Sequence, residues 1–192
     1  KRMVLIMAVK IGVLVGSLRK ESYCKKLFKN LKELAPGSID LEYVEIGNLP
    51  MYNQDYDDEG NPPSEYTKFR EDMKKYAGFL FITPEYNRTM PAVIKNALDV
   101  GSRPYGESIW DGKPGAVISV SPGALGGFGA NHQIRQALVF LNVPAMQQPE
   151  AYIGNIADIM DESGKITNES VLDYLKDIME SFAAWVETNK KA

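Results

Sequence analysis

Apolar residues in this chain fall into two rhythms, short unbroken runs and longer stretches where they recur every third or fourth position, and the two alternate along its length. The pattern predicts strands joined by helices. Residues 10–15, 78–83 and 115–120 are short and almost wholly apolar, as strands buried on both faces of a parallel sheet are. Residues 39–46 instead alternate apolar with acidic side chains, which predicts an edge strand with one wet face. Residues 143–147 supply the expected fifth strand. Helical spacing covers 23–34, 64–77, a stretch opened by Pro91, 129–141 and 171–186. In the last of these, Val171, Leu175, Ile178, Phe182 and Trp185 form one apolar stripe, with Thr167 or Asn168 available as its cap.

Five strands with crossover helices give a three-layer α/β sandwich, for which a flavodoxin-like and a Rossmann-like strand order both remain open. A chain of 192 residues suits one domain, here 10–192, behind an N-terminal extension at 1–9 that runs into the first strand. The apolar run after Lys1-Arg2 resembles the stub of a signal peptide but reaches that strand without a small-residue cleavage site, so 1–6 reads as a start-site extension with Met7 a natural start. The irregular stretch 47–63 is long enough to suggest a role. It is either a solvated loop or a place where Tyr52 and its neighbours meet a second subunit or a substrate.

Three strands run into small or polar loops that precede helices. Pro84-Glu85-Tyr86-Asn87 lies at the C-terminal edge of the sheet, where open α/β folds bind ligands, and reads as a cofactor ledge. Gly16-Ser17-Leu18-Arg19-Lys20-Glu21-Ser22 stands before a helix start, whose free N–H groups and positive dipole end favour phosphate. Ser17 and Ser22 add hydroxyls there and Arg19 a fixed charge. In Ser121-Pro122-Gly123-Ala124-Leu125-Gly126-Gly127, the glycines let backbone lie against a flat ligand.

Charge and composition narrow the chemistry. A net charge of −3 without a basic stripe argues against nucleic acid, and nothing reaches transmembrane length. One cysteine excludes an intrachain disulfide and suggests a reducing, cytoplasmic setting, and with a single histidine it makes a structural zinc site unexpected. No dinucleotide fingerprint follows the first strand. The half-match Gly127-Phe128-Gly129 fails at His132, and no Walker loop occurs. Cys24 lies after the phosphate loop with Asn30 six residues on, so it lacks the arginine of a cysteine phosphatase and reads as a packed first-turn residue. His132 shares a helix with Ile134, Leu138, Val139 and Leu141, which account for the core, and reads as a surface or interface residue.

Taken together, Gly16-Ser17-Leu18-Arg19-x-x-Ser22, then Pro84-Glu85-Tyr86-Asn87 continuing to Lys95-Asn96-Ala97-Leu98-Asp99, then the glycine loop from Ser121 resemble the NADPH-dependent FMN reductase family. The likeness covers about residues 10–187, includes Asn48-Leu49-Pro50-Met51-Tyr52, and is to the branch of bacterial chromate, quinone and azo-dye reductases. It implies a flavodoxin-like sandwich with a five-stranded parallel sheet in the order 2-1-3-4-5 and noncovalent FMN at the ends of strands 1, 3 and 4. By that resemblance Ser17, Arg19 and Ser22 hold the phosphate in a loop completed by Gly16 and Leu18. Pro84, Glu85, Tyr86 and Asn87 take the isoalloxazine edge, and Ser121 with Gly123 the far side.

No side chain is assigned catalysis. The flavin carries the chemistry, receiving hydride from NADPH or NADH and reducing a quinone, azo compound, metal oxyanion or free flavin in ping-pong turnover. Glu85 reads as a positioning or interface residue rather than a general acid. A homodimer, or a tetramer built from it, is also implied, with the helices after strands 3 and 4 packed across a two-fold axis. Trp110, Tyr105, Tyr52 and Phe128 are expected in loops near the flavin edge, under the partner. Cys24 stands where the family often has Asn, and Gly129 and His132 where some relatives have an arginine and a tyrosine at an assembly interface. The alternative is a flavodoxin-type electron carrier docking to proteins. Such carriers tend to be strongly acidic, with a Ser/Thr-rich phosphate loop lacking arginine.

Overall fold

The computed structural model describes residues 8–191, so the expectations for the signal-like run and for a start at Met7 lie outside the described residues. The strands are β1 (Val9–Val15), β2 (Ile39–Val44), β3 (Gly78–Thr83), β4 (Gly115–Val120) and β5 (Tyr152–Ile153). Between and after them come α1 (Tyr23–Leu34), α2 (Asp55–Asp58), α3 (Ser64–Met73), α4 (Ala92–Gly101), α5 (Phe128–Phe140), α6 (Ile156–Ile159) and α7 (Glu169–Asn189). All strand pairs are parallel, in the order β2-β1-β3-β4-β5, the flavodoxin-like arrangement.

The unbroken apolar runs have a simple cause. Leu80 and Ile82 of β3 join the core beneath α1 and α7, whereas Phe79 and Phe81 join the core beneath α3, α4 and α5. Successive side chains point to opposite faces, and both faces are covered. β2 lies at the edge, and its acidic positions are only partly covered while Ile39 and Leu41 are buried. In α7 the stripe from Leu175 to Phe182 is buried, and Asn168 caps the helix by accepting the N–H of Val171 at 3.2 Å. Burial of Ile178 and Phe182 is worth about 1.5–3 kcal/mol each and the cap about 1 kcal/mol. The stripe, not the cap, therefore holds the helix down. Among the described residues no helix is long and apolar enough to cross a membrane.

Several expectations need correction. The fifth strand is not 143–147, which contributes only a single bridge from Ala145 to Gly115; the paired strand is Tyr152–Ile153, beside Ser119 and Val120. That bridge consists of the Gly115 N–H donating to the carbonyl of Pro144 at 3.0 Å and the Met146 N–H donating to the carbonyl of Gly115 at 2.8 Å. The helix expected over 64–77 ends at Met73, because the N–H of Ala77 is already taken by the carbonyl of Lys10 as the chain enters the sheet. The acidic run at 55–58 forms α2, held by Arg70, which donates to both carboxylate oxygens of Asp57 at 2.7 and 2.8 Å. Trp110 is not at a ligand edge. It is fully buried, packs edge-on to Phe79 at 4.8 Å, and donates its indole N–H to the carbonyl of Leu98 at 3.0 Å.

Candidate active site

The crevice follows from the topology. β1 leaves into α1 on one face and β3 into α4 on the other, so the chain parts at the C-terminal ends of two neighbouring strands, the switch point where open α/β sheets bind ligands. A hollow of about 100 Å³ opens there. Ser17, Arg19 and Ser22 form one wall, Pro84, Glu85 and Tyr86 a second, and Ser121 with Pro122 a third. Tyr23 and Cys24, in the first turn of α1, and Val120, at the end of β4, also line it; sequence reading did not assign them to the site. The hollow has room for a phosphate group, and the rest of a nucleotide would lie along its open rim.

The donor chemistry fits that group. Ser22 caps α1, its hydroxyl accepting the N–H of Lys25 at 3.3 Å. Among the described residues, the N–H groups of Ser17, Leu18, Arg19 and Lys20 find no protein acceptor. Ser17 is 4% exposed and its hydroxyl is likewise unpartnered among the described residues, while Arg19 is exposed without a carboxylate beside it. A loop of unpaired donors at a helix start, with a free cation, is an anion cradle. Gly16 plays a packing part. A Cβ there would come within 2.8 Å of Ile94 and 3.0 Å of Pro84, so its absence lets the first wall approach the second.

The second wall is a tight turn. Tyr86 and Thr89 exchange backbone hydrogen bonds at 3.1 Å, and Asn87 and Arg88 between them have φ of 52° and 66°. Asn tolerates that left-handed region and Arg does so less readily. Glu85 accepts the N–H of Ala130 at 3.1 Å and pairs loosely with Arg88 at 3.4 Å. Asn96, buried one turn into α4, ties the segment 48–52 to this motif. Its side chain accepts the N–H of Tyr52 at 2.8 Å and donates to the carbonyls of Leu49 and Pro50 at 3.2 and 3.0 Å. Tyr52 is half-buried against Tyr66, and Met51 beside it is 71% exposed.

The third wall is fixed by backbone. Ser121 accepts the N–H of Gly123 on its hydroxyl at 3.0 Å and hydrogen-bonds through its own N–H to the carbonyl of Ile153 at 2.9 Å. Gly126 and Gly127 have φ of 59° and 75°, whereas Gly123 does not need a positive φ. Gly16, Leu18, Asn87 and Gly123 do not line the hollow itself; they belong to its loops.

Other candidates fall away. Burial pushes the Cys24 thiol up to about 12, against a smaller lowering by the Ser22 hydroxyl, so it is no nucleophile at neutral pH. His132 is exposed, with Nε2 2.9 Å from the Tyr152 hydroxyl and its ring 4.3 Å from that of Phe128. Tyr105 is 92% exposed and Phe128 51%. A larger cavity, about 770 Å³, lies at the opposite end of the sheet between Val9, Ile39 and α7. Among the described residues its walls hold no loop of unpaired backbone donors, so the smaller crevice is the better candidate.

Comparison with known proteins agrees. The model of the NADPH-dependent FMN reductase family matches residues 9–158. A quinone reductase of Pseudomonas putida is 55% identical over 180 residues, covering 94% of this chain and 96% of that protein. A 2-hydroxy-1,4-benzoquinone reductase of a Burkholderia species is 44% identical over 184 residues, covering 96% of this chain and all of its relative, 100%. The solved structure of FerB, a flavoenzyme NAD(P)H:(acceptor) oxidoreductase from Paracoccus denitrificans, superposes with a TM-score of 0.89 at 37% identity, covering 96% of this chain and 100% of FerB. With a family model matched over well more than half its length and relatives of this identity aligned almost end to end, the chain belongs to the NADPH-dependent FMN reductase family.

Proposed function

We propose that this protein binds FMN noncovalently in the crevice and uses it to carry two electrons from NADPH or NADH to quinones. The observation that carries the reading is the row of unpaired donors from Ser17 to Lys20 at the start of α1, set at the switch point between β1 and β3. FMN bound there supplies hydride chemistry. The chain's own part is to hold and orient. Ser17, Arg19 and Ser22 grip the phosphate in the loop that includes Gly16 and Leu18. Pro84, Glu85, Tyr86 and Asn87 back one edge of the ring, and the turn from Ser121 to Gly123 limits the other. Backbone N–H groups of these loops favour negative charge on the ring without a proton donor. The family relatives named quinone reductases support the acceptor class; azo compounds, free flavins and chromate are further acceptors to assay.

One crevice between three loops leaves room for nicotinamide or acceptor in turn, so turnover should be ping-pong. Purified protein should be yellow and consume NADPH with a quinone and no protein partner. Double-reciprocal plots at several quinone concentrations should be parallel. Intersecting lines would mean a ternary complex and overturn the shared site. A requirement for a protein partner would instead favour the flavodoxin-type carrier.

The partner we propose is a second copy of the chain. α5 leaves Val139 and Phe140 81% and 83% exposed, and Leu125 and Phe128 near its start are exposed as well, large apolar groups that self-association would bury. Packing of α4 and α5 across a two-fold axis would cover them, with Leu125 and Phe128 at the crevice end of α5 and Val139 and Phe140 at its far end. Light scattering should give twice the monomer mass. A fully active monomer at micromolar concentration would refute the shared wall, and a tetramer would leave it intact.

A further inference from the structure

We propose that Glu85 is a positioning residue that sets the spacing of the two crevice walls by capping α5 from another element. The inference rests on the FMN reading above for its functional consequence, though not for its geometry. α5 starts after Gly127, which offers no side-chain cap, so the N–H groups of its first turn need an outside acceptor. Glu85 supplies one. Its Oε2 accepts from Ala130 at 3.1 Å, and its side chain is only 12% exposed. The contact is close because residue 129 is glycine. A Cβ there would stand 2.5 Å from the carbonyl oxygen of Arg88 and 2.9 Å from Oε2 of Glu85.

The carboxylate thus ties two loops that share no backbone pairing. On one side is the turn from Tyr86 to Thr89; on the other is the glycine loop that runs from Ser121 into α5. A flat ring between those walls needs their separation fixed before it arrives, because ordering them on binding would cost affinity. Oε1 faces Arg88 at 3.4 Å, so both oxygens are engaged in holding structure. An acceptor oxygen, rather than a proton, is what the site takes from this residue.

The test compares Glu85→Ala with Glu85→Gln, which keeps an acceptor oxygen, in the full-length protein. Amide exchange at Ala130 without added FMN should quicken about fivefold in the alanine variant, the size of a lost cap, and stay near wild type in the glutamine variant. FMN affinity by fluorescence titration should weaken about tenfold with alanine and be largely restored with glutamine. Unchanged exchange at Ala130 in the alanine variant overturns the cap. Altered exchange with unchanged FMN affinity, or glutamine as weak as alanine, overturns the positioning role. Wild-type protein that fails to take up FMN would sink the function reading alone, since the exchange measurement still decides the cap.

Discussion

Replacing Gly126 with alanine is expected to lower stability by about 3 kcal/mol and to loosen FMN with it. The backbone at Gly126 has a φ of 59°, and holding a side-chain residue in that region costs about 1–2 kcal/mol. Its new Cβ would meet the carbonyl carbon and oxygen of Tyr152 at 2.6 and 2.8 Å and the nitrogen of Ile153 at 2.9 Å. Those atoms are main chain, and they cannot retreat without opening the ladder in which Tyr152 and Ile153 pair with Ser119 and Val120. Overpacking against such neighbours adds about 1–3 kcal/mol. Urea unfolding of the protein without FMN measures the loss. Gly37→Ala is the control, because a Cβ there meets nothing within 4 Å. A loss no larger than that of the control would mean that the third wall is not backbone-locked.

The double variant Ser17→Ala with Arg19→Ala should weaken FMN binding at least tenfold, about 1.4 kcal/mol. Hydrogen bonds to a charged group are worth about 1.5–3 kcal/mol each, and the exposure of Arg19 reduces its share through solvent screening. Both side chains are free of protein partners among the described residues, so their removal breaks nothing in the unliganded fold. Stability without FMN should therefore stay near wild type, and fluorescence titration should show the loss only in binding. Unchanged affinity would move the phosphate away from α1. Riboflavin, which has no phosphate, should bind both proteins alike.

Periodicity determined much of this molecule. The runs at 78–83 and 115–120 became strands with those bounds, and 23–34 became a helix with its bounds, because each pattern is local: the strands are buried on both faces and the helix on one. The three loops were legible for the same reason: a strand end, small residues and a helix start are consecutive in the chain. Their meeting in one hollow required the strand order, which periodicity left open and the family resemblance implied. Other facts depended on contacts between distant segments. The fifth strand formed at Tyr152 because that segment, not 143–147, runs beside Ser119 and Val120, and Trp110, which its size alone placed at a ligand edge, turned inward because Gly101 leaves space for its indole. The grip of Asn96 on 48–52, the lock of Gly126 on β5 and the cap of Glu85 on α5 join residues far apart in sequence. Local pattern determines which face of an element is apolar. Only packing decides which distant backbone comes near enough for a glycine to be required or a carboxylate to find its N–H.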